Sequence, residues 1–373
     1  MTANSFLGVV FANINDDKLY PMTEVRSTGA MPVGGRYRMV DFTLSNFVNA
    51  GITKVGVITR SNYKSLMDHL GSGRAWDLDR KNGGLYLLPP YAFSSAEKLR
   101  PGRVGAVSNV IEFFKKSTEE YAVLCDADVI SNLDLSEMFA KHTESGADVT
   151  FAFKHGVPDG SGERLTFEWN SDGSAKKLNV SQGVGEETDY SVSIMIIGRK
   201  LLIKLIEESV AEGGTDLVRD ILQKKVGTLK IMGFEVTSYA AILDSPEAYV
   251  KINNDIINDK RIRDDLFNPD RPVLTKTRDD MPTRYGLDSD VTESLIADGC
   301  RIEGTVKNSV LFRGVTVEKG ARVENCIVMQ DSVIGKDSIL KYVTVDKDVT
   351  IGEESTINGS PKFYVYVPKG KRI

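Results

Sequence analysis

The sequence predicts an α/β fold: a Rossmann-like domain with a mostly parallel sheet, followed by a C-terminal left-handed parallel β-helix of hexapeptide repeats. Three observations carry this prediction. Through the first two thirds, short apolar runs alternate with amphipathic helical stretches, the pattern of a parallel sheet covered by helices on both faces. From about Leu295 onward the helical period disappears, and aliphatic residues recur every six positions. Between the two lies Asn268–Pro282, with three prolines and several charges, which reads as a connector. The expected boundaries are 1–257 for the α/β domain, 258–290 for the linker and 291–373 for the β-helix.

In chain order, Leu7–Ala12, Val55–Thr59, Tyr121–Cys125 and Val149–Phe153 read as buried strands, and Val192–Ile197 as a later one. Ser61–Leu70, Val104–Lys116, Leu135–Glu144 and Lys200–Val210 read as helices. Pro246–Ile257 reads as one more, with Ser245 placed to cap it. In such a fold, ligands sit beyond the carboxyl ends of the strands. Further on, Ile327, Val333, Ile339, Val345, Ile351 and Ile357 stand six residues apart. Val315 and Ala321 extend that phase backwards, while Val317/Val323 and Ile296/Ile302 form further hexads. Six is a multiple of the strand period of two, so each marked residue should face inward on a β-helix.

The 373 residues suffice for two or three domains and a large core. A net charge of -5 argues against a generic polyanion partner such as nucleic acid. Cys125, Cys300 and Cys326 offer neither a disulfide framework nor zinc spacing, and suit a reducing cytoplasm. His69, His142 and His155 form no metal-ligand cluster in sequence. No apolar run approaches the ~18 residues of a membrane helix, and the N-terminus lacks the basic region of a secretory signal.

Residues 32–51, PVGGRYRMVDFTLSNFVNAG, carry a specific likeness. With the following KVGVITR and EAYVKIN stretches, the chain resembles the ADP-glucose pyrophosphorylases (glucose-1-phosphate adenylyltransferases) over essentially its whole length. The resemblance implies a nucleotidyltransferase domain in which glucose 1-phosphate attacks the α-phosphate of ATP. It also implies Mg²⁺ held by two aspartates, with glycines, lysines and arginine offsetting phosphate charge.

Against that pattern, the first loop is rewritten. FANINDDKL (Phe11–Leu19) stands where the family has a glycine-rich loop. Ile14 adds β-branching at the bend, and Lys18 replaces an arginine. Asp16 and Asp17 would meet phosphates at a cost of about 4 kcal/mol each before screening, at ~4 Å and an effective dielectric near 20; alternatively they recruit metal. Thr28 stands at the family's phosphate-contacting lysine, with Gly29 at the following proline. Asp128, just past a strand, matches the first metal aspartate; its neighbour Asp126 is able to share that role, and a plain turn-capping role also stays open. Val180–Gln182 replaces a Glu-Lys-Pro triplet, leaving Ser191 as a candidate contact for a sugar phosphate, and Ser193 replaces a glycine. Ile242 falls at the second metal aspartate, with Asp244 two residues later as a substitute that would need local rearrangement.

In the family, basic residues matching Arg26 and Arg38 line a pocket for phosphorylated effectors or sulfate, a role suited to arginine. Salt bridging at a surface or interface is the other reading of Arg26, Arg36 and Arg38. The cluster Arg74, Arg80 and Lys81 reads as solvated.

The joint loss of glycines, lysines and an aspartate resembles the GlgD-type, non-catalytic subunit of the two-component enzyme of glycogen synthesis. That likeness implies a regulatory subunit in a cytoplasmic heterotetramer with a catalytic homologue, needing no cofactor alone and Mg²⁺ only for residual catalysis. A self-sufficient Mg-dependent sugar-1-phosphate nucleotidyltransferase and a phosphometabolite sensor are the alternatives.

Overall fold

A computed structural model of the chain describes residues 5–60, 62–89, 101–159, 162–182 and 185–373. Ser61 and Met1–Asn4, read above as a helix start and an N-terminus without a signal, lie outside them. Among the described residues, nine strands form one sheet. Its spatial order is Ala175–Gln182, Glu163–Trp169, Thr188–Gly198, Tyr121–Asp126, Phe6–Phe11, Lys54–Ile58 and Gly84–Leu88. Val149–Gly156 also pairs with Thr188–Gly198, and Ile231–Glu235 pairs with Val149–Gly156.

The first strand shows why the sheet is buried on both sides. Phe6, Val10 and Ala12 join one apolar cluster, and Leu7, Val9 and Phe11 join another. Successive side chains point to opposite faces, so a strand covered on both faces reads as a continuous apolar run. Phe6–Phe11 is parallel to both neighbours, Lys54–Ile58 and Tyr121–Asp126. Thr188–Gly198 runs antiparallel to its partners, which makes the sheet mixed. The hairpin Glu163–Trp169/Ala175–Gln182 is not among the strands expected from sequence. Its strands carry Glu163, Arg164, Glu168, Lys176 and Lys177 among their apolar residues and present no unbroken apolar run.

The helix expected over Val104–Lys116 is two, Gly102–Ser108 and Ile111–Lys116, with Val110 off helical geometry at φ -121°, ψ 20°. Ser108 and Asn109 favour local side-chain bonds over a continuous helix there. Ser245 caps Pro246–Asn258 as expected: its hydroxyl accepts from the Ala248 N–H at 3.1 Å.

Residues 258–290 are not a loose connector. Lys260–Leu266 is a helix, and Arg284–Tyr285 and Asp290–Thr292 already pair with later strands. The stretch between is tied to the α/β domain, with the Leu274 N–H on the Ser45 hydroxyl and the Trp76 indole on the Leu274 carbonyl.

Beyond it, three five-stranded parallel sheets wind into a β-helix. The inward residues are Val317, Val323, Val328, Ile334, Leu340, Val345 and Ile351, all fully buried in one cluster. Their steps are therefore six, five, six, six, five and six, and equivalent strands such as Thr316–Val317 and Val333–Ile334 lie 17 residues apart. The strict hexad expected from sequence thus slips. Val333 and Ile339 are half-buried beside inward Ile334 and Leu340, and Ile327 packs against the α/β domain. One corner of each coil is a residue short, and Asn308, Asn325 and Tyr342 occupy it with positive φ. The Asn308 amide donates to the Asn325 carbonyl oxygen at 2.7 Å, stacking that corner.

The two domains share a core. Leu19, Met22, Phe42, Tyr249 and Ile252 pack with Val310, Phe312, Ile327 and Met329 of the β-helix.

Candidate functional site

At the carboxyl ends of Phe6–Phe11 and Tyr121–Asp126 lies a cavity of about 210 Å³. It is walled by the first loop, the segment after Asp126, the hairpin strand Glu163–Trp169 and the π-helical turn Leu217–Leu222.

The first loop is closed by its own side chains. The half-buried Asp16 carboxylate accepts from the Thr28 N–H and hydroxyl, both at 2.7 Å, and from the Asn13 amide. Burial still holds that carboxyl above its usual pKa, against those hydrogen bonds. The Thr23 hydroxyl donates to the Asp16 carbonyl at 2.6 Å. Asp16 therefore faces inward, neither toward a phosphate nor toward a metal, while Asp17 is exposed. Thr28, standing where the family has a lysine, is the partner that the rewritten loop uses. Ile14, Asn15 and Lys18 line the cavity.

Asp128 lies where the sequence places it. It is buried, and it faces Ile242 because Val129–Ser131 pairs with Ala240–Ile242, with the Leu243 N–H on the Asp128 carbonyl at 2.7 Å. Its Oδ2 accepts from the Asn15 amide at 2.5 Å, and its Oδ1 has no partner. Burial, and then the Asp126 carboxylate, push the Asp128 pKa up to about 8. Asp126, raised by burial, is paired with the Arg103 guanidinium.

The rest of the cavity repeats that motif. Arg164 holds Asp244 at 2.5 Å, both being buried, and Arg219 holds Glu163 at 2.7 Å. Asp244 is thus held by a guanidinium through Oδ2, while its Oδ1 has no partner. Ser191 and Ser193 line the cavity; the Ser191 hydroxyl accepts from the Ser193 N–H at 3.1 Å. Ser193 sits at φ +57°, where the strand's register breaks between Ser191 and Met195, in a region that favours glycine. Val180 lines the cavity, whereas the side chains of Ser181 and Gln182 lie outside the described residues.

This donor set does not fit Mg²⁺. A hard divalent cation needs several convergent oxygens. Here Oδ1 of Asp126, Asp128 and Asp244 each lack a hydrogen-bond partner, but Asp126 and Asp244 already carry an arginine on Oδ2, and the apolar Ile242 stands where the resemblance implies a second aspartate. No cluster of three His, Cys, Asp or Glu residues suits a metal ion among the described residues. The histidines are dispersed: His69 on Asp41, His142 on Thr150 and His155 on Asp189.

Asn15, Arg103, Arg164 and Arg219 are site residues that the sequence reading missed. One signal was present. Arg164 alternates with Thr166 on the buried face of its strand, and a basic residue at an inward position is unusual.

The two arginines expected at an effector pocket lie at the domain boundary. Arg26 is fully buried and donates to Asp346 of the β-helix at 2.6 Å. Arg38 is half-buried, with its guanidinium on the Ser65 carbonyl and hydroxyl. Lys347 is beside them; burial, then Arg38 and Arg26, lower its pKa to about 6. Burial, chiefly, lowers that of Arg38 to about 10. Arg36 is exposed over the Tyr37 ring, and Arg80 pairs with Asp77.

Residues 8–160 match the nucleotidyl transferase family, and 281–362 match the GlmU-like C-terminal hexapeptide family. The chain is 35% identical over 323 residues to the glycogen biosynthesis protein GlgD of Bacillus subtilis (strain 168), covering 86% of this chain and 83% of that protein. It is 36% identical over 322 residues to GlgD of Geobacillus stearothermophilus, covering 85% and 82%. It is 31% identical over 335 residues to the glucose-1-phosphate adenylyltransferase of Bacillus mycoides (strain KBAB4), covering 84% of each. A shared α/β domain, a shared hexapeptide region and identity at this level over most of the length place the chain in the ADP-glucose pyrophosphorylase (glucose-1-phosphate adenylyltransferase) family.

Proposed function

We infer that the chain is a regulatory, largely non-catalytic subunit of glucose-1-phosphate adenylyltransferase in glycogen biosynthesis. It modulates a homologous catalytic subunit that makes ADP-glucose and pyrophosphate from ATP and glucose 1-phosphate. The observation that carries this reading is the self-neutralised cavity: Arg103, Arg164 and Arg219 each face a carboxylate of the same chain. Cations engaged in this way are not available to two approaching phosphates, which leaves Lys18 as the cation of the lining without an ion pair among the described residues. The cavity volume of about 210 Å³ is also below the roughly 300–1,000 Å³ of ordinary ligand pockets. Modulation then works through subunit contact, by a coupling free energy between conformations of the assembly. A cytoplasmic setting agrees with three buried free cysteines, whose thiol pKa values burial raises, to about 11 for Cys300 and about 12 for Cys326.

The test is turnover by the pure chain with ATP, glucose 1-phosphate and Mg²⁺. The expected rate is at background. Robust turnover that disappears in Asp128→Asn would instead support a self-sufficient enzyme.

A second reading, phosphometabolite sensing, is favoured by the cluster of Arg26, Arg38 and Lys347, with Asp346 beside Arg26 and Lys347 and with Asp41 and Asp68 near Arg38. An anion there would relieve the mutual repulsion that, together with burial, depresses the Lys347 pKa. Calorimetry with ATP and then with fructose 1,6-bisphosphate tests it. Heat from the second alone, lost in Arg38→Ala, supports an effector site; no heat from either counts against it.

A further inference from the structure

A second cavity, of about 680 Å³, opens where the β-helix meets helix Pro246–Asn258 and the first loop. Its volume lies within the range of small-molecule sites. It shares no lining residue with the cavity of Asp128, and its chemistry is different.

Its shape comes from an insertion. In the third β-helix sheet, Val310 pairs with Ile327 and Ile327 with Thr344, each step being 17 residues. The next step, Val343 to Val365, takes 22. The extra residues form a tight hairpin in which Ser360 and Phe363 exchange both backbone hydrogen bonds, at 2.8 and 3.0 Å. That hairpin supplies Pro361, Lys362 and Phe363 to the cavity wall opposite Val250. Pro21, Pro246 and Pro368 line it as well. Prolines fix the backbone, so the cavity is largely preformed.

The lining states what it would accept. Phe363 (69% exposed), Tyr364 and Tyr366 give aromatic surface that no other residue covers completely. Thr344 also lines the cavity; it is 1% exposed, yet its hydroxyl has no hydrogen-bond partner. Such a buried hydroxyl calls for a polar atom from outside the chain. At the rim, Lys362 makes no ion pair among the described residues, while Lys251 is already held by Asp159 and Asp255. Glu247 also lines the cavity, exposed and in no ion pair among the described residues, so these walls, the unsatisfied hydroxyl and Lys362 suit a flat ring whose single negative group meets Lys362 rather than that carboxylate.

We propose that this cavity is a ligand-binding site for a planar aromatic compound bearing one anionic substituent. Its position gives it a route to the rest of the molecule. Tyr366 lines the cavity and donates its hydroxyl to Asp346, the residue that holds Arg26 and thereby the segment that follows the first loop. A ligand stacked on Tyr366 bears on that interdomain contact without entering the cavity of Asp128.

The probe is 8-anilinonaphthalene-1-sulfonate, whose flat naphthalene ring carries one sulfonate, titrated by fluorescence and calorimetry into the folded full chain. The expected result is saturable binding of one molecule per chain. Val250→Trp, which fills the cavity, and Phe363→Ala, which removes an exposed ring, should each weaken it about tenfold or more. Lys362→Ala should weaken it roughly three- to tenfold. Circular dichroism checks that each variant is folded; Phe363 and Lys362 are exposed, so their truncation leaves the core intact. Non-saturable binding, or a titration that all three substitutions leave unchanged, overturns the assignment.

Discussion

Ser193 holds φ at +57° within the strand Thr188–Gly198, at a position where the resemblance implies glycine. A side chain in the left-handed region costs about 1–2 kcal/mol. Ser193→Gly should therefore raise the free energy of unfolding by on the order of 1 kcal/mol, read from the urea midpoint, because glycine's larger unfolded-state entropy offsets part of the relief. The Asp128 carboxyl makes a prediction of the opposite chemical kind. Its folded pKa, raised to about 8, lies above that of an unfolded aspartate. Between about pH 4 and pH 8 the folded chain then holds a proton that the unfolded chain has lost, so stability falls as pH rises across that window. Asp128→Asn removes this loss: it should match the parent near pH 4 and exceed it near pH 8 in thermal midpoint. The place of Asp128 was legible because a carboxylate just past a buried strand has one direction to face. The orientation of Asp16 was not, since the hydrogen-bond donors of Thr28, twelve residues away, decide it.

At the scale of elements, the β-helix corners set the register. Gly320, Asp337 and Glu354 stack 17 residues apart, each with positive φ. Glu354 is exposed and at φ +56°. Glu354→Gly should stabilise the chain by about 1 kcal/mol, seen as a higher denaturant midpoint at unchanged slope. The same corners explain how far the sequence could be read. A six-residue recurrence was enough to identify a β-helix. It could not show that one corner per coil is short, because Val333–Ile334 and Ile339–Leu340 are adjacent aliphatics and either phase looks apolar. The hairpin at 163–182 escaped for a related reason: its outward charges interrupt every apolar run. The strands buried on both faces, Phe6–Phe11 and Tyr121–Asp126, were plain for the converse reason.

At the scale of the whole molecule, the two domains are one packed body, and a buried ion pair sits in their joint. Arg26 and Asp346 are 1% and 0% exposed and 2.6 Å apart. Removing one partner leaves a buried charge unpaired, so Arg26→Ala or Asp346→Ala should each lose about 3–5 kcal/mol in denaturant unfolding. The double change Arg26→Met/Asp346→Leu should lose clearly less than the sum of the two. Such long-range pairs mark where sequence reading ends. Arg26–Asp346 and Arg164–Asp244 are separated by 320 and 80 residues, and no local pattern announces either. The missing family residues were visible one by one, whereas what fills their places became visible only in the folded chain. The function proposed above for a molecule that keeps this fold and pairs the arginines of its own cavity lies in what it does to a partner. The measurement that tests this most directly is activity of a co-purified mixture with a catalytic homologue, set against each chain alone. The account predicts a mixed oligomer whose rate or effector response differs from that of the catalytic chain by itself. No mixed oligomer, or a mixture with the catalytic chain's own rate and response, would contradict it.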